Sequence, residues 1–378
     1  MTLRLAILSP FSPLTGGIAR FSDTMLAAFR QHGHDMVPVP IRAIYPSFFP
    51  GRASRVMDKG AALVLYNPLT WLPVFKRLSA MKPDIVLVPY WSWWQIPFCA
   101  ALYRLTSLKV VLLLHNVRSH ERFPGEAFLL PLLAASADGV LALSESVARQ
   151  GRGFLKAIPQ RILYHPVYDA PKSVSMTHEP DLRSVLGYGP EVPVLLFYGY
   201  VRRYKGLDIL LHALPQLIVR EPRLRLLVAG TFLQDPGHYQ AIVKQLGLDE
   251  HVQLFPGYVS PERTAAFFAA ADAVVLPYRS ASQSGVIQLA YGFGRPVIVT
   301  PAGALPEMVE DGKTGWIAPD TTANGIAAAI GSFLDSRARL PQMQSQILLF
   351  RQHFSWEEFV EQASIFFETL SPRQACRH

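Results

Sequence analysis

Short apolar runs alternate with longer stretches of helical periodicity along this chain. In the first half the runs lie at 3–8, 36–40, 84–88, 109–114 and 139–143. Each is long enough for one strand and apolar enough to be covered on both faces, as in a parallel sheet. A glycine-containing loop leads from the first run into a helix over 18–32, which Gly33 ends. Runs at 193–197, 224–228, 251–255, 273–276 and 296–300 repeat the pattern in the second half, with helices over 207–219, 321–335 and 340–353. Ser355 and Glu358 form a capping-box signature for a last helix over 356–370. This repetition predicts an α/β protein of two Rossmann-like domains with parallel sheets. The predicted domains are 1–170 and 191–354, joined by a polar, Pro/Gly-rich linker at 171–190. Residues 355–370 form the closing helix and 371–378 a loose tail. Residues 162–168 close the first domain. Residues 41–60 read as a long basic loop with Arg42, Arg52, Arg55 and Lys59. Residues 61–77 set bulky apolar groups beside Lys76 and Arg77, which suits a buried helix or a patch against lipid.

Composition narrows the classes. A length of 378 residues exceeds what one core usually serves, and half the residues are hydrophobic, so a disordered chain is excluded. The net charge of +8 is uneven: residues 1–170 carry +9 and the remainder −1. A basic half can face an anionic membrane or a phosphorylated lipid. It carries no RNA- or DNA-reading motif, so nucleic acid is not an expected partner. The two cysteines, Cys99 and Cys376, imply neither a disulfide framework nor a metal site. The first residues lack the apolar core of a signal peptide, and no run of about 18 apolar residues suggests a span. The expected location is cytoplasmic, at the inner face of the membrane.

Candidate chemistry concentrates in 273–315. There an apolar strand enters the loop 278–284, and a helix opens near Gly285. Free N–H groups and the positive dipole end make a helix N-terminus a site for an anion. The small residues Ser282, Ser284 and Gly285 allow a phosphate close to the backbone. Arg202, Arg203 and Lys205 precede the helix at 207, where cations oppose its dipole unless a pyrophosphate is bound. Tyr258, beside Val259, stands at a strand end where a base can stack. Gly16 and Gly17 read either as a tight turn or as a backbone cradle for phosphate or sugar; the full G-x-G-x-x-G pattern of a dinucleotide site is absent. His115 ends a strand, with Asn116, His120 and Glu121 close behind, and Glu121 can orient His120. Trp91, Trp93 and Trp94 follow another strand, either as core or as a stacking surface.

The second half resembles the GT-B glycosyltransferases, and within them the retaining, nucleotide-sugar-dependent enzymes of family 4. The resemblance rests on Gly199-x5-Lys205-Gly206, Val228-Ala229-Gly230, Pro256-Gly257-Tyr258-Val259, Pro306-Glu307-x2-Glu310-Asp311-Gly312-x2-Gly315 and Phe354-Ser355-Trp356-Glu357. It is looser in the first half, through Gly16-Gly17 and His115-Asn116. It implies a GT-B architecture: two domains with sheets facing a cleft, and a last helix crossing back to the first domain. It also implies metal-independent transfer of a sugar, with retention, from a nucleotide diphosphate to a saccharide or lipid-linked acceptor bound by the first domain. No cofactor is implied, and no D-x-D metal motif occurs in the chain. The resemblance makes His115, His120, Arg202 and Lys205 catalytic candidates. The donor set is Gly16, Gly17, Gly199, Arg203, Gly230, Tyr258, Val259, Ser280, Ser282, Gln283, Ser284, Gly285, Val286 and Gln288. The chain departs from the family where two glutamates eight positions apart are usual, since Ser280 and Gln288 stand there. Tyr200 occupies the usual arginine position, with Arg202 as the substitute. These departures keep two alternatives open, a nucleotide-sugar-binding protein without transferase activity and a nucleotide-sugar epimerase.

Overall fold

The computed structural model describes residues 2–14, 17–43, 63–117, 126–168, 181–233 and 235–370. The chain divides into two compact units, one of residues 1–165 with 355–378 and one of residues 166–354. In the first unit the order is β1 (Arg4–Ser9), α1 (Gly17–Gln31), β2 (Asp35–Ala43), β3 (Leu63–Val64), α2 (Trp71–Met81), β4 (Ile85–Tyr90) and α3 (Ile96–Leu105). There follow β5 (Val110–Leu114), α4 (Glu126–Ala134), β6 (Gly139–Ala142), α5 (Glu145–Gly151) and β7 (Gln160–Ile162). These strands form one parallel sheet in the order β3-β2-β1-β4-β5-β6-β7. Its central strands are buried along their whole length, which explains their continuous apolar runs.

The second unit runs α6 (Leu182–Val185), β8 (Val194–Tyr198), α7 (Leu207–Arg220), β9 (Arg225–Gly230), α8 (Pro236–Gln245), β10 (Val252–Pro256), α9 (Pro261–Ala270) and β11 (Ala273–Leu276). It continues with α10 (Gly285–Gly292), β12 (Val297–Val299), β13 (Gly315–Ile317), α11 (Ala323–Asp335) and α12 (Leu340–Phe350). Its sheet is parallel, in the order β10-β9-β8-β11-β12-β13. Asp272 ties the entry of the unit together. It accepts from the Val194 N–H and pairs with Arg183 at 2.8 Å and Arg337 at 3.2 Å.

The last helix, α13 (Trp356–Thr369), packs within the first unit on α1. Phe359, Phe366 and Phe367 join Phe21 and Phe29 in the core on that face of the sheet. Ser355 caps α13 by accepting from the Glu358 N–H at 3.0 Å, a contact of about 1 kcal/mol. Helices α2, α3 and α4 cover the opposite face.

Two expectations change. The segment 61–77 is not one helix. Asn67 accepts from the Leu69 N–H, and the Thr70 hydroxyl bonds back to Val64, so a tight turn separates β3 from α2. The last strand of the first sheet, β7, ends at Ile162, and Pro166 beyond it offers no N–H to a ladder. Arg42 lies in β2 rather than in a loop; the rest of the basic segment, 44–60, lies outside the described residues.

Candidate functional site

Both sheets change direction beside their first strand. β1 lies between β2 and β4, and β8 between β9 and β11. At such a point successive loops leave for opposite faces and open a crevice at the carboxyl ends. In the second unit that point is bounded by Gly199, after β8, and by the loop that follows β11.

Three elements meet there. A Cβ on Gly199 would stand 3.5 Å from the Lys205 Nζ and 3.7 Å from Val286 in the first turn of α10. Lys205 ends the short turn Arg203–Lys205, and Gly206 passes directly against the Pro277 carbonyl. The ammonium is thereby buried, 5.1 Å from the centre of the Tyr278 ring. Among the described residues no carboxylate pairs with it. Asp208, in the next helical turn, is taken by Arg279 through two contacts of 2.9 and 2.5 Å. Burial pulls the Lys205 pKa below the ordinary lysine value; Tyr204 opposes that shift and the Arg202 guanidinium adds to it. A buried cation facing a helix N-terminus is unfavourable by itself and becomes favourable when an anion arrives.

The β11 loop is held rigidly under this cation. Tyr278 is buried, its hydroxyl 3.4 Å from the Ser284 Oγ, and its carbonyl accepts from the Thr300 hydroxyl at 2.6 Å. Ser284 caps α10 by accepting from the Val286 N–H at 3.3 Å. At Gly303 a Cβ would overlap the Ala281 carbonyl, and its φ of +57° suits glycine. Gly230 is constrained in the same way, with no room for a Cβ against the Gly199 carbonyl.

The other donor candidates separate by depth. Ser282 and Gln288 are buried and Gln283 and Val286 half-buried, while Ser280, Gly285 and Arg203 are exposed. Gln288, one turn into α10, has a buried Oε1 with no hydrogen-bond partner. Arg202 is half-buried. Tyr258 is 74% exposed on the loop after β10, beside the half-buried Val259. The roles of Tyr278, Thr300 and Gly303 are absent from the sequence reading. The signal for them was slight, an aromatic and a glycine flanking two strand ends.

In the first unit, His115 follows β5 and is buried, with its backbone N–H donating to the Tyr90 carbonyl at 2.9 Å. The Phe21 ring packs edge-on against both His115 and His165, each at 4.9 Å. Burial first, and then the His165 charge, push the His115 pKa down to about 3. The imidazole is neutral at physiological pH. The expected partners His120 and Glu121 lie outside the described residues, as does Gly16. Gly17 opens α1 with nothing within 4 Å of a Cβ, so packing does not demand glycine there. Trp93 and Trp94 stack at 4.3 Å beyond β4. The buried Gln95 fixes the loop between them and the strand, accepting from the Trp91 and Ser92 N–H groups and donating to the Pro89 carbonyl.

Residues 192–336 match the family model described as Glycosyl transferases group 1. The D-inositol 3-phosphate glycosyltransferase of Nocardia farcinica is 29% identical over 300 residues, covering 74% of this chain and 64% of that protein. The Rhodococcus erythropolis protein of the same name is 33% identical over 181 residues, covering 46% of this chain and 41% of its own. The chain thus spans less than two thirds of these relatives. Among solved structures, sucrose-phosphate synthase from Thermosynechococcus elongatus superposes with a TM-score of 0.74 at 18% identity, covering 97% of this chain and 98% of that one. Anabaena HepE in complex with UDP superposes at 0.71 with 18% identity, covering 97% and 100%.

Proposed function

Because the chain has the GT-B glycosyltransferase fold, with a second unit of the group 1 glycosyl transferase type, we propose that it moves a sugar from a nucleotide-diphosphate donor to a hydroxyl of a saccharide or lipid-linked acceptor. The observation that carries this reading is the buried Lys205 ammonium. It has no carboxylate partner among the described residues and faces the first turn of α10 across Gly199. A diphosphate at that point receives Lys205, Arg202 and the helix dipole together. Gln288 offers its unpartnered Oε1 to a ribose hydroxyl. The exposed Tyr258 and neighbouring Val259 supply a surface for the base. The UDP and UDP-glucose named in the Anabaena HepE structures make a uridine donor the first to try.

In the proposed reaction the acceptor oxygen attacks the anomeric carbon on the face the leaving group vacates. The bond from that carbon to the diphosphate oxygen breaks, and this oxygen takes the acceptor's proton. Configuration is retained. Lys205 and Arg202 offset the charge that builds on the leaving group, so the proposal needs no metal. His115, neutral and buried, serves as a hydrogen-bonding group and not as an acid. The setting is polysaccharide or glycolipid synthesis at the inner membrane face, a place supported by the +9 charge of residues 1–170.

A thermal-shift screen of nucleotide sugars, followed by assay of nucleoside diphosphate release, tests the function. Release that depends on an added acceptor is expected. Binding without release in any acceptor mixture would identify a binding protein, and an epimerised donor without acceptor an epimerase. Full activity in EDTA and an unchanged anomeric configuration by NMR check the metal independence and the retention.

A further inference from the structure

The first unit displays apolar side chains where a folded domain usually buries them. Leu69 is 84% exposed, Leu72 57% and Phe128 87%. Leu69 is not loose: its turn is closed by the Asn67 and Thr70 side chains, and its own N–H is bonded to Asn67. On α2 the buried positions Val74, Phe75 and Leu78 hold the helix to the sheet, which turns Leu72, Lys76 and Arg77 outward.

The topology places these tips at one edge. In a parallel sheet each helix starts beside the carboxyl end of the strand before it, so α2, α3 and α4 begin at the same edge. α2 packs on α3 and α3 on α4. Leu69 and Leu72 stand at the start of α2, the stacked Trp93–Trp94 pair before α3, and Phe128 in the first turn of α4. The same edge carries His115.

We propose that this rim docks the first unit on an anionic bilayer. Leu69, Leu72 and Phe128 enter the acyl boundary, and Lys76 and Arg77 meet the phosphate headgroups. It rests on the reading of a lipid-linked acceptor given above, and assigns the surface that brings the enzyme to it. Charge complementarity selects a bilayer over a neutral protein face. Lys76 and Arg77 are exposed on α2, within a segment of net charge +9. The contact is peripheral, since no helix among the described residues is long and apolar enough to cross a membrane.

The test is co-sedimentation of the whole protein with phosphatidylcholine vesicles, with and without about one third phosphatidylglycerol, across salt from about 0.05 to 0.5 M. Wild type binds the anionic vesicles and releases as salt rises. Leu69→Glu/Leu72→Glu lowers vesicle partitioning at least about tenfold, and Lys76→Gln/Arg77→Gln lowers it and flattens the salt dependence. Leu69→Ser serves if the double variant unfolds. UDP affinity, measured by calorimetry, is unchanged in these variants. Wild-type partitioning by Leu69→Glu/Leu72→Glu, or equal binding to neutral vesicles, overturns the proposal. So does lipid-free self-association that the same variant abolishes, which marks an interface between copies. Absence of UDP binding with vesicle binding intact overturns the donor reading and leaves this surface standing.

Discussion

Lys205 in the second unit and His115 in the first are both basic side chains buried in loops beyond strand ends, and burial lowers the pKa of each, but their surroundings differ. Around Lys205 the fold withholds a carboxylate partner: the nearby Asp208 is committed to Arg279, and the Tyr278 ring lies 5.1 Å from the ammonium. Around His115 the fold removes the charge: the ring is buried, with Phe21 edge-on against it and the His165 charge nearby, and its pKa falls to about 3. Among the described residues no carboxylate pairs with Lys205, whereas the His115 ring is held neutral by burial. One burial therefore reads as a ligand site and the other as a positioned hydrogen-bonding ring, although a count of basic residues treats them alike.

The strongest way to break this comparison is Lys205→Ala. Transfer should fall about a hundredfold, the loss expected on deleting one positioned stabilising donor. Near-normal release of nucleoside diphosphate would sink the assignment. Next is acid stability. The His115 pKa lies below its unfolded value of 6.5, so the unfolded state binds the proton first. Stability contributed by the neutral ring is present above about pH 6.5 and is lost as pH falls towards 3. Between pH 6.5 and 5 this amounts to about 2 kcal/mol, measurable by urea unfolding. His115→Gln should flatten that slope; an unchanged slope means the ring is not held neutral.

Smaller effects sharpen the contrast. Gln288→Leu removes an acceptor kept for a ligand, and donor KM should rise about tenfold. Calorimetry with UDP checks it, and unaltered affinity places the ribose elsewhere. Lys205→Met exchanges a desolvated cation for an apolar chain. Its thermal midpoint should rise by roughly 2–4 °C while UDP binding is lost, because the cation is costly in the empty protein. A lowered midpoint would mean that Lys205 has a structural partner after all.

Much of this molecule was written in local sequence. Strands buried on both faces need continuous apolar runs, so β1, β4, β5, β8, β9 and β11 were visible as such. Ser260, Ser284 and Ser355 sit where their side chains accept from the first turns of α9, α10 and α13, and capping is a contact over two or three residues. The basic loop before α7 and the small-residue loop before α10 were likewise recognisable, because backbone geometry and charge sign are local properties. What the sequence could not decide is which groups are desolvated and which are already paired. Asp208 and Arg279 are 71 positions apart, as are Lys205 and Tyr278 by 73, and His115 meets Phe21 and His165 from distant segments. Those pairings arise when the sheet brings loop ends together. Through burial and partnership, they determine that one basic side chain is left without a carboxylate partner while the other stays neutral.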